Sequence, residues 1–480
     1  VRSLSSTTLL GAVMAVALPL IFLPTPALAH GVQGRAETPI PLEMFIAIAA
    51  IVVVISFIGL SFGWSKPKLN AYAWVRAPRW LEKITLSPAV LWALRTLVLA
   101  VFMVVLIAAS FGSLLLGQNI APLMVFVVWW IGLVPVSAIF GNIWREVNPW
   151  TSVARLLKIP ATRPDRTLPA WVGVWPTAFI LLSFAWLELV FPTPAEPRLI
   201  AFILVAYSIG TLLAMWRWGV DTWLSSGEAF SVYTGILALM SPVEVRGPAG
   251  DRQLGFRLPF IAAAGLKIGP GIVAVISVLI ATVIYDGLST SPFWRLRDVA
   301  ASERLIDLGV SDFGAGVVIG TFGLLGSLAV FAIFYEVASL VSGRLARWPS
   351  TSVGRVAAAF APSLVPIALA YFIAHYFTLF VFQSQDIVRL ASDPLGFGWN
   401  LFGTAQNQIN FQAFSPELIW IVQVVAIVVG HVLGLAYAHD RALELGRTRR
   451  ESLLSQAPFL LLMVLLTVAG LWSLSVSMTG

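Results

Sequence analysis

The chain has no cysteine, only four histidines, and charged side chains at just 11% of its 480 positions. The missing cysteines exclude disulfides and thiolate metal centres, leaving imidazole and carboxylate as the strong metal ligands available. The scarcity of charge excludes an ordinary soluble domain, in which about a quarter of residues are charged. Walker-type glycine loops, HExxH, nucleophile elbows and CxxC pairs are all missing, so the common catalytic signatures give no lead. No internal repeat is visible, which removes direct support for an inverted-repeat transporter plan. What is present is apolar: 59% of residues are hydrophobic. The net charge of +7 reads as membrane topology, and no nucleic-acid partner is inferred from it.

The N-terminus carries Arg2, an apolar run from Leu9 to Leu23 and the small-residue sequence Ala27-Leu28-Ala29. These are the three regions of a secretory signal peptide over residues 1–29, whose cleavage would leave His30 as the first residue; a retained signal anchor gives the same downstream topology. Residues 30–480 then form a single polytopic membrane domain. Ten apolar segments follow, near 44–64, 88–110, 121–140, 171–191, 199–216, 269–287, 313–339, 356–382, 415–437 and 456–477. Each approaches the roughly 20 residues a helix needs to cross about 30 Å of hydrocarbon. The expected fold class is therefore all-α, a polytopic helical bundle in a lipid bilayer. Ten crossings from an external start put both mature termini outside. Of the 30 Lys and Arg residues, twenty-two then fall on the inner side and six on the outer, as the positive-inside bias requires.

Two connections carry patterning of their own. Ser225 and Glu228 have capping-box spacing ahead of 229–240, which reads as an interfacial helix, and the mixed charged and apolar stretch 292–308 reads as a second surface helix. Arg95, near the end of the second segment, is expected to snorkel toward water. Gly430, Gly434 and Ala438 recur every four residues and make a small-residue face for close helix packing.

Histidine inside a membrane span is costly and draws attention as a functional position. His431 lies beside the glycine face, where it either hydrogen-bonds across a helix interface or serves a relay with Glu336 as partner. His439 reads as a solvated boundary residue. His375 shares a helix face with Tyr371 one turn before it and lies about 10 Å below the outer end of its span, whereas His431 lies about 24 Å down. The two are therefore not ligands of one metal. Tyr285-Asp286-Gly287 ends the sixth segment at the outer side and places a carboxylate where it can meet His375. His375 and Asp286 are thus the candidate catalytic pair. A mature N-terminal His30, with its α-amine and imidazole, together with His375 would suit a divalent transition metal, although the identity of any cofactor stays open.

The combination of His30-Gly31 after a signal segment with Tyr285-Asp286-Gly287-Leu288-Ser289, Ala374-His375-Tyr376-Phe377-Thr378, Ser392-Asp393-Pro394-Leu395-Gly396 and His439-Asp440-Arg441 resembles a bacterial polytopic family named for fenitrothion hydrolase. The resemblance implies a membrane-bound hydrolase of organophosphorus triesters, acting on an apolar small-molecule substrate and working with a second related membrane subunit. It carries no catalytic residues with it. Two other readings stay open: a metal-ion or proton-coupled transporter using His431, Glu336 and His375 as stations, and a noncatalytic membrane subunit.

Overall fold

A computed structural model describes residues 42–247, 251–348 and 353–479; the signal segment and His30 lie outside the described residues. The chain is a polytopic helical membrane protein. Among the described residues, nine helical stretches are long and apolar enough to cross a bilayer. The main helices are α1 (Leu42–Gly63), α2 (Arg79–Thr85), α3 (Pro88–Phe111), α4 (Ile120–Phe140), α5 (Pro149–Leu156), α6 (Trp175–Leu189), α7 (Pro197–Trp218) and α8 (Ala229–Leu237). They continue with α9 (Ile272–Ser289), α10 (Pro292–Asp307), α11 (Asp312–Leu345), α12 (Val353–Phe360), α13 (Leu364–Gln383), α14 (Pro416–Leu445) and α15 (Arg449–Thr479). The described chain divides into two compact units.

The first unit gathers α1, the C-terminal part of α9, α10, α11, α12, most of α13, α14 and α15. Its hub is α15, which packs against α1, α11 and α14. The small-residue face of α14 is used for close approach. A Cβ on Gly430 would lie 2.2 Å from the Ala370 side chain and 2.8 Å from the Pro366 carbonyl, and one on Gly434 would lie 2.6 Å from the Ser363 carbonyl. The eighth apolar segment is broken at this contact by a 3-10 turn over Ala361–Ser363, where Pro362 interrupts the α-helical hydrogen bonding. The expected surface helix is α10: Ser291 caps it by accepting from the Trp294 amide, Pro292 starts it, and it has no buried residue.

The second unit contains α2 to α8, the N-terminal part of α9 and the segment 376–413. Its core lies among α3, α4, α5 and α7, with Phe102, Trp144, Trp150 and Met215 at the centre. Residues Leu123–Ile131 of α4 adopt a π-helix ahead of Pro135, which has no N–H to donate; Gly132 donates instead to the Val127 carbonyl five residues back. Three short antiparallel strands, β1 (Val75–Arg76), β2 (Val243–Arg246) and β3 (Gln253–Phe256), pair in the order β1-β3-β2.

Three local expectations are corrected here. The capping box before α8 is absent: Ser225 sits in a preceding helix with its hydroxyl on the Asp221 carbonyl, and Glu228 is itself the cap, accepting from the Phe230 and Ser231 amides. That helix is also largely buried rather than interfacial, because both of its faces are apolar or small. Burial pushes the Glu228 carboxyl above the usual carboxylate range, against the lowering effect of its bonds to Ser231 and Tyr207. Arg95 does not snorkel: it is 4% exposed, donates through Nε to the Glu146 carbonyl at 2.8 Å, and shares the Glu146 carboxylate with Arg252.

The fourth apolar segment forms a helix of only 15 residues, α6. At 1.5 Å per residue it covers about 22 Å, short of the roughly 30 Å hydrocarbon core. Its start is delayed by Gly173, held at φ +46° with its α-carbon against the Pro270 carbonyl, and by Pro176 in the first turn. The positive-inside bias nevertheless calls for a crossing here, since without it the basic stretch 217–267 would lie opposite the basic stretch 145–166. The absence of native cysteine makes the test direct. Single cysteines at exposed Ala170 and Thr193 are expected to react with an impermeant maleimide from opposite faces of sealed vesicles. Labelling of both from one face would exclude a crossing by α6.

Candidate functional site

Asp286 stands in the last turn of α9, and the sequence after it closes that helix with side-chain hydroxyls. Ser289 Oγ donates to the Asp286 carbonyl at 2.7 Å, Thr290 Oγ1 to Gly287 at 3.0 Å, and Ser291 Oγ to Leu288 at 2.6 Å. These bonds satisfy carbonyls that a helix end otherwise leaves without partners. Tyr285 is buried beside Asp286 and meets the Trp294 ring edge-on, with centroids 5.9 Å apart. Both rings press on Gly323 of α11, where a Cβ would lie within 2.6 Å of each. The end of α9 is thus wedged in place by aromatic packing.

His375 lies on α13, and its approach depends on α14 and α15. Gln423 of α14 donates to the Ala374 carbonyl at 2.7 Å. One turn before His375, the Tyr371 hydroxyl donates to the Leu466 carbonyl, and its ring occupies the space that a side chain at Gly470 would need, 2.7 Å from the position of a Cβ. The two sequence candidates are brought together: His375 Nε2 and Asp286 Oδ2 are 2.7 Å apart. The His375 side chain is 14% exposed and that of Asp286 21%, so the pair is sheltered but reachable. His375, Tyr371, Ala374, Val283, Ile427 and Gly470 border a void of about 10 Å³. That is room for about one water molecule.

This pair does not fit a metal centre as arranged. Two ligand atoms at about 2.1 Å from a tetrahedral ion stand about 3.4 Å apart. The His375 and Asp286 atoms are closer than that because they bond to each other. Among the described residues, no group of three His, Asp or Glu side chains has the spacing to hold an ion. His30, the other expected ligand, lies outside the described residues.

The remaining histidines are placed elsewhere. His431 is fully buried, donates from Nδ1 to the Ile427 carbonyl at 2.8 Å, and packs 5.6 Å from the Tyr371 ring. Its Nε2 has no hydrogen-bond partner among the described residues. The expected partner Glu336 is on an exposed face of α11, and no hydrogen bond joins the two.

His439 is not a solvated boundary residue; it is 1% exposed. Its Nδ1 faces Gln456 Oε1 and its Nε2 faces the Trp64 carbonyl, each at 2.8 Å. Asp440 beside it accepts from Trp64 Nε1 and from the Lys68 and Leu69 amides. Together they tie the segment after α1 to α14 and α15. Sequence reasoning missed this cluster because most of its partners, the Trp64 indole and carbonyl and the Lys68 and Leu69 amides, lie more than 370 residues away in the chain. The polar Gln456 inside an apolar run was the available signal.

No family model, curated protein or solved structure matches the chain.

His439→Ala would remove the contact to the buried Gln456 Oε1, costing about 1–3 kcal/mol, and the contact to the part-buried Trp64 carbonyl. Denaturant titration of purified protein is expected to show a loss of about 1–3 kcal/mol. Arg441→Ala, which removes only the exposed pair with Glu444, is expected to cost less than about 1 kcal/mol. Equal effects would place His439 among ordinary boundary residues.

Proposed function

We propose that the chain is a membrane-bound hydrolase of apolar organophosphorus triesters, with His375 as general base and Asp286 as the group that orients it. The observation that carries this reading is the 2.7 Å contact between them beside a void the size of one water. The family resemblance at Tyr285 to Ser289 and at Ala374 to Thr378 supplies the substrate class. The setting is a bacterial inner membrane with both mature termini outside, so that the pair faces outward.

In this reading Asp286 accepts a hydrogen bond from His375 Nε2 and orients the imidazole, which serves as the base. A water takes the position next to the imidazole. As its oxygen forms a bond to phosphorus, its proton passes to the imidazole and the bond from phosphorus to the aryl oxygen breaks. The departing aryloxide takes that proton from the imidazolium, and the neutral ring is restored. Asp286 stabilises the transient imidazolium. The void holds water and not the ester; the ester, dissolved in the bilayer, meets the exposed edge of the pair. No metal is needed for any step.

General-base catalysis contributes about 10²–10⁴-fold. With fenitrothion as substrate and nitrophenol release as readout, His375→Ala is expected to lose at least about 100-fold in kcat/KM. Asp286→Asn is expected to lose about 10-fold or more while remaining folded. Full activity in His375→Ala, or no turnover by purified wild type, would overturn the assignment.

A second reading is favoured by one observation, the buried Nε2 of His431 without a partner. It makes His431 a proton station in a transporter. Substrate-driven proton flux in proteoliposomes, abolished by His431→Ala and unaccompanied by product release, would replace the hydrolase reading with this one.

A further inference from the structure

Far along the chain from His375, within the second unit, a cavity of about 630 Å³ opens along α7. Its walls are apolar: Ile180 of α6, Gly210 and Leu213 of α7, and the indoles of Trp216, Trp218 and Trp223. Gly210 leaves the wall open, since a Cβ there meets nothing within 4 Å. One end of the cavity has a different chemistry. Arg217 lines it, with its guanidinium carbon 5.8 Å from the Trp218 ring, and Arg166 lies 5.5 Å from the Trp216 ring that forms the adjoining wall.

The segment carrying Arg166 is fixed at this end by backbone bonds. The Val220 and Asp221 amides donate to the Pro160 and Ala161 carbonyls. Gly219, at φ +92°, allows this approach, because a Cβ there would lie 2.9 Å from the Ala161 carbonyl. The same segment includes Arg163, whose Nε is shielded from solvent and has no partner among the described residues. Acidic neutralisation is incomplete: Asp165 lies 3.4 Å from Arg166, and Asp221 pairs loosely with Arg145 at 3.9 Å. Among the described residues Arg217 makes no ion pair and stands against the Trp218 ring.

The position of this cationic end follows from the helix itself. Arg217 closes a 22-residue apolar helix, so it sits at the level where a span leaves hydrocarbon for headgroups, and the tryptophans around it are the residues that favour that level. A ligand filling the cavity must therefore be apolar along α7 and anionic at the Trp216 to Trp218 end. We propose that this cavity binds an anionic phospholipid, with an acyl chain along Ile180, Gly210 and Leu213 and the phosphodiester against Arg217 and Arg166. A zwitterionic lipid offers the same phosphate but also a cationic amine, which the arginine cluster repels. Selection is by net charge of the head, and capacity is set by the open side of Gly210.

The test is native mass spectrometry of the full-length protein in detergent micelles doped with equal amounts of phosphatidylglycerol and phosphatidylcholine. Wild type is expected to retain one phosphatidylglycerol with at least about 10-fold preference. Arg166→Gln combined with Arg217→Gln is expected to abolish the preference, and Gly210→Leu, whose Cβ meets no atom within 4 Å and whose side chain takes cavity space, to abolish retention. Millimolar inorganic phosphate is expected to leave retention unchanged. Equal retention of the two lipids, or retention unaffected in both variants, would overturn the proposal. Displacement by inorganic phosphate would likewise overturn it in favour of a simple anion site. A melting curve matching wild type for Gly210→Leu keeps the outcome interpretable if the double arginine variant is unstable.

Discussion

The first unit depends on how closely α13 and α14 approach one another. Gly430 and Gly434 present no side chains, and the space is taken by Ala370 and by the carbonyls of Pro366 and Ser363. In hydrocarbon, apolar surfaces gain little by leaving lipid for protein, so packing of this kind and interhelical hydrogen bonds must supply the association. The contact fixes the rotation of α13, and with it which way Tyr371 and His375 point. Gln423 then adds a hydrogen bond to the Ala374 carbonyl, and Gly470 admits the Tyr371 ring from the other side. His375 is held from two neighbouring helices before Asp286 is considered.

The three described histidines illustrate three ways of keeping an imidazole away from water. His375 is partly exposed and paired with a carboxylate. His431 is sealed, with one nitrogen bonded to its own helix and the other left over. His439 is sealed and bonded at both nitrogens, one bond reaching the chain segment after α1. Only the first combines a charged partner, an adjoining void and access, which is why the chemistry is assigned there. The other two are accounted for by packing and by a structural tie respectively, with the free Nε2 of His431 as the exception.

The long spans were legible because a bilayer demands long uninterrupted apolar runs, and most expected segments coincide with helices. The meeting of His375 with Asp286 was also legible, since both residues fall near the same end of their spans and helical rise converts position into depth. What escaped notice was decided by partners distant in sequence. The fate of Arg95 depends on Glu146 and Arg252, and that of His439 on Trp64 and Gln456. The shortness of α6 depends on Gly173 meeting Pro270. Glu228 was visible as a capping residue but was put in the wrong position, because Ser and Glu can each cap a helix start and spacing alone does not choose between them.

The tie between Asp440 and the segment after α1 bears on how the protein is made. Trp64, Lys68 and Leu69 leave the ribosome hundreds of residues ahead of the aspartate that will hold them. The first unit draws its helices from the beginning, middle and end of the chain. During synthesis, α1 must therefore wait in the bilayer without its final neighbours, and the last two helices act as the closing step of assembly. A ribosome that stops before α14 leaves α1 without the two helices it packs against.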